Sequence, residues 1–407
     1  MTDIPARASP AAAHSGHKLR LLQGSGEFFP ALVAAIDGAT RLVRMETYIF
    51  DFTGESLQVA LALDRAALRG VSVNVLVDGF GTAPLPPEWR ERFAGSGVQW
   101  KEYAPIGTLG ILWPGNWRRL HRKLCVIDGE VAFCGGINIL DDLHDPNHGA
   151  LAAPRFDFSV RVAGPLVADV EMEMVRVWRR VAQGQVRSRL ARAIDAFRQP
   201  PQEAADAMPA SRVRSLSKAG LLLRDNLRRR SHIERAYRRA IGHARDEIVI
   251  ANAYFVPGGK MRRALILAAR RGVKVQLLLQ GRYEYFMQYY ASRPVYGALL
   301  RAGVEIHEYA PSFLHAKVAV IDGRWATVGS SNLDPLSLLL AREANVVVED
   351  TQFAAQLRSC LLDAIRQGGR ALEPADYSNR SLRQRLMEQL AWALMRTALL
   401  VQGKKYL

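Results

Sequence analysis

The chain is written twice, and this repeat limits its fold more than any other feature. AALRGVSVNVLVDG (66–79) recurs as LAARRGVKVQLLLQG (267–281), GVQWKEYAP (97–105) as GVEIHEYAP (303–311), and ETYIF (46–50) as NAYFV (252–256). HRKLCVIDGEVAFCGGIN (121–138) then lines up with HAKVAVIDGRWATVGSSN (315–332), with His, Lys, Asp, Gly and Asn at identical offsets. Matched positions are 206 residues apart at 46–50 and at 97–105, 202 apart at 66–79, and 194 apart from the His motif onward. The largest length difference is an insertion in the first copy, 106–120, facing only Ser312 to Leu314. A long repeat of this kind means one structural unit used twice.

Within each copy, amphipathic helical stretches (28–40, 56–69, 232–246, 260–271) alternate with short β-branched runs (42–50, 71–77, 248–256, 273–279). That alternation predicts an α/β fold in which each unit is a mixed β-sheet flanked by helices. Two such sheets related by a pseudo-twofold axis would bring matching loops together at the axis. The expected organisation is a disordered lead-in (1–18), a first unit (19–185), a linker with a Pro-Pro pair (186–216), a second unit (217–372) and a helical tail (373–407).

The lead-in lacks the continuous apolar stretch of a secretory signal. Three cysteines, Cys125, Cys134 and Cys360, are too few for a disulfide framework or a thiolate zinc site, which fits a reducing cytoplasmic compartment. The formal charge of +16 points to a polyanionic partner, either nucleic acid or an anionic membrane surface, without choosing between them.

In HRKLCVID, Leu124 and Val126 alternate with His121 and Lys123, and Asp128-Gly129 offers a tight turn, so the motif reads as a hairpin. Side chains two apart on a strand share a face, which pairs His121 with Lys123 and His315 with Lys317. Such a pair suits a phosphodiester, the ammonium neutralising phosphoryl oxygens while the imidazole attacks phosphorus or moves a proton. Two facing copies allow one His to form a phosphohistidine and the other to protonate the leaving oxygen, then deprotonate the incoming one. Asp128 and Asp322 complete the motif but have the opposite parity, and a hydrogen-bonding role at the turn is the reading favoured for them. Asn138, Ser330 and Asn332 are candidate donors to phosphate oxygens. His144, Asp145 and His148 in HDPNH read as a solvated loop, and neither a metal nor a cofactor is expected.

Both motifs resemble the His-Lys-Asp signature of the phospholipase D superfamily, and the resemblance covers nearly the whole chain outside its termini. RFDFSVRVAGPLV (155–167) and SLLLAREANVVVED (337–350) are similar to the family's downstream strands, which implies that Asp157 and Glu343 accept hydrogen bonds from the catalytic histidines. The family tendency makes His121 the nucleophile and His315 the acid and base. Within the superfamily the wording of 121–138 and of DPLSLLL (334–340) resembles the bacterial cardiolipin synthases, in particular the type without N-terminal transmembrane helices; Ala341 departs from the Asn usual there. The resemblance implies transfer of a phosphatidyl group from phosphatidylglycerol to a second phospholipid, with release of glycerol or a head group, at the cytoplasmic side of a bacterial membrane. A nuclease, another phosphodiesterase or a phospholipid hydrolase of the same superfamily remains the alternative; with the lipid substrate, no nucleic-acid partner is expected.

Two further stretches bear on the lipid reading. Ile111, Leu112, Trp113 and Trp117, followed by Arg118 and Arg119, suit an interfacial loop, and RYEYFMQYY (282–290) an acyl-chain groove or packing between halves. In the tail, Leu382, Leu386, Leu390, Leu394 and Ala398 recur every four residues, as expected of an amphipathic helix lying on a membrane or packed back on the body.

Overall fold

The computed structural model describes residues 14–105, 118–146, 148–183, 217–225, 229, 231–282, 286–334, 341–378 and 380–401. The first half runs β1 (His14–Gln23), α1 (Gly24–Asp37), β2 (Leu42–Thr47), α2 (Leu57–Leu68), β3 (Ser72–Asp78), α3 (Pro87–Ser96), β4 (Gln99–Tyr103), β5 (Arg119–Leu120), β6 (Lys123–Ile127), β7 (Val131–Gly135), the small ribbon β8 (His144–Asp145) and β9 (Gly149–Ala150), β10 (Phe158–Ala163) and α4 (Leu166–Ala182). The second half repeats it as β11 (Ser217–Arg224), α5 (His232–His243), β12 (Glu247–Asn252), α6 (Gly259–Arg270), β13 (Lys274–Gln280), α7 (Phe286–Leu300), β14 (Glu305–Tyr309), β15 (Lys317–Ile321), β16 (Trp325–Gly329), β17 (Ala341–Glu349) and α8 (Thr351–Gly368), followed by β18 (Gly369–Ala371), α9 (Pro374–Ser378) and α10 (Leu382–Val401).

Local chemistry accounts for these elements. Leu57–Leu68 has neither Gly nor Pro, and Val59, Ala60, Leu63, Ala66 and Ala67 form one buried face. Pro87 opens α3 where no N–H is needed, and Gly97 closes it with φ of 92°. Asp350 caps α8 by accepting from the Phe353 N–H. In β3 and β13 every residue after the first is buried, so both faces are covered; each lies in parallel pairing between two neighbours.

The strand order is palindromic. Reading outward from the β1–β11 contact, one side follows β10, β7, β6, β2, β3 and β4, and the other follows β17, β16, β15, β12, β13 and β14. This is the order a pseudo-twofold axis produces. The two expected sheets are joined edge to edge, because β1 pairs antiparallel with both β10 and β11. His14 to Lys18, read from the sequence as the end of a disordered lead-in, therefore begin the strand that links the halves. Backbone pairing holds them there, and composition carries no sign of it.

The inner faces of the two sheets also pack on each other. Val126, Ala132, Cys134 and Val160 from the first half share one buried cluster with Val320, Ala326, Val328 and Val346 from the second, closed by apolar residues of α4 and α8. Separate clusters lie outside it, under α1 to α3 in the first half and under α5 to α7 in the second. Fully burying one Val or Leu contributes roughly 1.5–3 kcal/mol, so this shared core binds the halves into one body.

Candidate active site

Each histidine motif begins with the chain crossing between halves. Arg119 and Leu120 pair in parallel with Ala341 and Arg342 of β17, the His121 N–H donates to the Arg342 carbonyl at 3.0 Å, and only then does the chain enter β6. In the second copy Leu314 bridges Phe156, the His315 N–H donates to the Phe156 carbonyl at 2.9 Å, and β15 follows. His121 and His315 thus sit just before their strands, where the sequence pattern expected them on the strands. Lys123 and Lys317 are the first strand residues, and each Nζ donates back to the carbonyl of its own histidine, Lys123 at 2.8 Å.

This crossing fixes which acid meets which base. Glu343 follows Arg342, so His121 Nδ1 lies 3.1 Å from each of its carboxyl oxygens. Asp157 follows Phe156, so His315 Nδ1 lies 2.7 Å from its Oδ2. Each half's histidine is therefore held by the other half's acid, with the two acids 0% and 4% exposed. A carboxylate on Nδ1 holds that nitrogen as the N–H and leaves Nε2 with the lone pair. Neither half contains a complete site.

The two pairs differ in detail. Ser330 donates its hydroxyl to Glu343 and receives the Ala344 N–H at 3.1 Å. Gly136 occupies the matching position in the first half, where a Cβ would come within 2.3 Å of Asp157 Oδ1. Asp157 instead receives the Phe158 N–H at 2.8 Å and has Lys317 Nζ 4.0 Å away. Burial lowers the pKa of His121 against the pull of Glu343. Burial lowers that of His315 well below the usual value, helped by Lys317, Lys123 and His121. Burial also raises Asp157 to about 7, opposed chiefly by Lys317, and pulls Lys123 down to about 7, opposed by Glu343. Each motif thus meets the other half's acid, and Lys317 Nζ as well as His315 Nδ1 faces Asp157, so the two motifs come together at the seam between the halves.

The other expected residues fall around this centre. Asp128 accepts from the backbone N–H groups of Thr40, Arg41 and Leu42 and from the Thr40 hydroxyl. Asp322 accepts from the N–H groups of Arg245, Asp246 and Glu247. Both sit in the left-handed region, with φ of 53° and 50°, at the hairpin turns away from the histidines. They tie each hairpin to the start of the neighbouring strand, in keeping with the turn role and not with membership of the reacting group. Ser330, expected as a phosphate donor, is 0% exposed with its hydroxyl committed to Glu343, so it stands behind His121. Asn138 Oδ1 accepts from the Ile49 N–H at 3.2 Å, whereas the buried Asn332 Oδ1 has no partner.

Tyr48 was missed in the sequence. Its ring lies 4.8 Å from that of His121 and 5.4 Å from Lys123 Nζ, forming one wall of the centre. The signal was present, since Tyr48 and Tyr254 match in the repeat register. Asp145 contacts His148 Nδ1 and forms an ion pair with Arg155 within the loop, and no group of three metal-ligating side chains occurs among the described residues. Residues 106–117, with Ile111, Leu112, Trp113 and Trp117, lie outside the described residues, as do 335–340 and the side chains of 283–289.

This twofold centre, assembled from two copies of one motif, coincides with a known family. The chain belongs to the phospholipase-D-like family described as "Cardiolipin synthase, PLD-like domain", whose model matches residues 32–152 and 237–362, one stretch in each half. It is 37% identical over 358 residues to cardiolipin synthase B of Escherichia coli K12, covering 85% of this chain and 80% of that protein. It is 32% identical over 355 residues to cardiolipin synthase A of Pseudomonas syringae, covering 86% and 68%. The phosphatidylserine synthase of Haemophilus influenzae has the same fold, with a TM-score of 0.69, 94% coverage of both chains and 13% identity.

Proposed function

We propose that the protein is a phosphatidyltransferase of the cardiolipin synthase type, acting on phosphatidylglycerol through a phosphohistidine. The observation that carries this reading is the crossed arrangement, which puts two oriented imidazoles and two ammonium groups in one centre. His121 Nε2 attacks phosphorus, forming the N–P bond as the P–O bond to glycerol breaks. For this step His315 must first be the imidazolium, taking up a proton from solvent at Nε2 when the anionic phosphodiester binds beside it. It gives that proton to the departing oxygen and is left with its Nε2 lone pair. It then takes a proton from a hydroxyl of the second phospholipid, whose oxygen displaces His121. Lys123 and Lys317 neutralise the phosphoryl oxygens throughout, and Glu343 stabilises the imidazolium of the phosphohistidine. Two inversions give overall retention at phosphorus. The choice of His121 as nucleophile follows the family tendency.

A phospholipid substrate supports a membrane surface as partner, and a peripheral position on its cytoplasmic face is part of the proposal. No helix among the described residues is long and apolar enough to cross a membrane. The test is to supply pure protein with phosphatidylglycerol vesicles or with DNA. Formation of a diphosphatidyl product with release of glycerol is expected. Release of phosphatidic acid alone would make it a hydrolase, and cleavage of DNA with no lipid product would make it a nuclease.

A further inference from the structure

The last helix presents two faces with different fates. Glu388 and Ala391 are 5% and 0% exposed, and α10 packs along α7 with Ala391 in the buried cluster under α5 to α7 and Trp392 half-buried against it. Arg380 forms an ion pair with Glu388, and the Tyr377 ring lies 6.5 Å from that of Tyr296. These contacts fix the helix on the catalytic body. On another face, Leu382, Leu386, Leu390 and Leu394 are 83%, 68%, 48% and 49% exposed. Four-residue steps on an α-helix turn the stripe by only about 40° each, so the leucines form a ridge about 18 Å long.

The charges beside that ridge have one sign. Arg383 and Arg385 are exposed, and the single acid in the helix sequence, Glu388, is the buried one. An apolar ridge flanked by cations and held rigidly on a protein fits the boundary between head groups and acyl chains of an anionic bilayer. A protein partner with an acidic rim would match the charge, but the ridge is narrow and lacks the aromatic anchors of a protein interface.

We infer that α10 is a built-in docking surface for anionic membranes, lying in the interface through Leu382, Leu386, Leu390 and Leu394. It deepens the membrane partner proposed above by assigning the surface that meets it, and it rests on that reading only in taking the partner to be lipid. Because the opposite face is part of the fold, the helix is in place before a membrane arrives. Docking then incurs little ordering entropy.

The test uses the full chain and flotation with phosphatidylcholine vesicles, with and without phosphatidylglycerol. Leu386→Gln combined with Leu390→Gln should weaken binding about tenfold or more, while the melting temperature and the activity on detergent-dispersed phosphatidylglycerol stay unchanged. Arg383→Gln and Arg385→Gln should each weaken binding to the anionic vesicles by about fivefold and leave binding to neutral ones unaltered. Unchanged flotation of the leucine variant would overturn the inference. A lowered melting temperature would also overturn it, by placing the ridge in the core. So would a lipid-free dimer of the wild type that the leucine variant breaks, because a second copy would then cover the ridge. Flotation through the ridge without turnover of phosphatidylglycerol would uphold the docking surface while refuting the proposed chemistry.

Discussion

Glu343→Gln keeps the shape of a fully buried side chain and removes its charge, so it isolates what the crossed carboxylate does for His121. In the wild type both carboxyl oxygens lie 3.1 Å from His121 Nδ1, and Ser330 holds the carboxylate in place. When Nε2 bonds to phosphorus, the imidazole becomes positive while still donating from Nδ1. A hydrogen bond to a charged partner contributes about 1.5–3 kcal/mol. The attraction of unit charges about 4 Å apart at an effective dielectric near 20 sets an upper figure of about 4 kcal/mol. A loss of about 3–4 kcal/mol from the transition state corresponds to a fall in kcat of roughly 100- to 1,000-fold. KM should change little, since the interaction strengthens only as charge develops, and Ser330 can still donate to the amide oxygen, preserving the fold. The assay is steady-state turnover of detergent-dispersed phosphatidylglycerol, together with nuclear magnetic resonance of the His121 Nδ1 proton. A fall in kcat of less than fivefold, or movement of the His121 resonance in Asp157→Asn but not in Glu343→Gln, would refute the crossed assignment.

Other outcomes follow from the same geometry. His121→Ala and His315→Ala should each abolish turnover, because the copies form one site, and retention of half the activity in either would contradict this. An acid-labile phospho-adduct should be trapped in His315→Ala and be missing in His121→Ala. Lys123, pulled down to about 7, loses its proton as pH rises through neutrality, so KM should rise above about pH 7; in Lys123→Met that dependence should vanish. Asp322→Ala should lower stability by about 2–4 kcal/mol in denaturant titration, through lost backbone hydrogen bonds and a side chain forced into the left-handed region, while the folded enzyme keeps its kcat within a few-fold. Asp128 is raised by burial but lowered further by the N–H groups of Thr40, Leu42 and Arg41, to about 2. Its contribution to stability is present above about pH 4 and lost as pH falls through about 2, which a melting curve against pH would reveal in comparison with Asp128→Asn.

The sequence by itself determined the repeated α/β unit, the pairing of each histidine with the lysine two residues on, and the turn position of both aspartates. Each depends on local periodicity or on two copies compared with one another, and each is visible without knowing where any strand goes. Tyr48 was equally visible and was passed over, because one aromatic among many carries no charge to mark it. Tertiary structure alone decided the rest. His121 and Glu343 are 222 residues apart and His315 and Asp157 158 apart, and what joins them is a parallel bridge formed one residue earlier on each side. Each bridge is only one or two residue pairs long, too short for an alternating side-chain pattern to specify its register. On sequence grounds the Ser330 hydroxyl reads as a donor to phosphate, and only the approach of β17 turns it to Glu343. On α10 the leucine spacing foretold an apolar stripe, but the packing of Ala391 and Trp392 against the body was needed to decide that the stripe faces outward. Helical periodicity defines faces, and the neighbour that claims one of them is chosen by the fold.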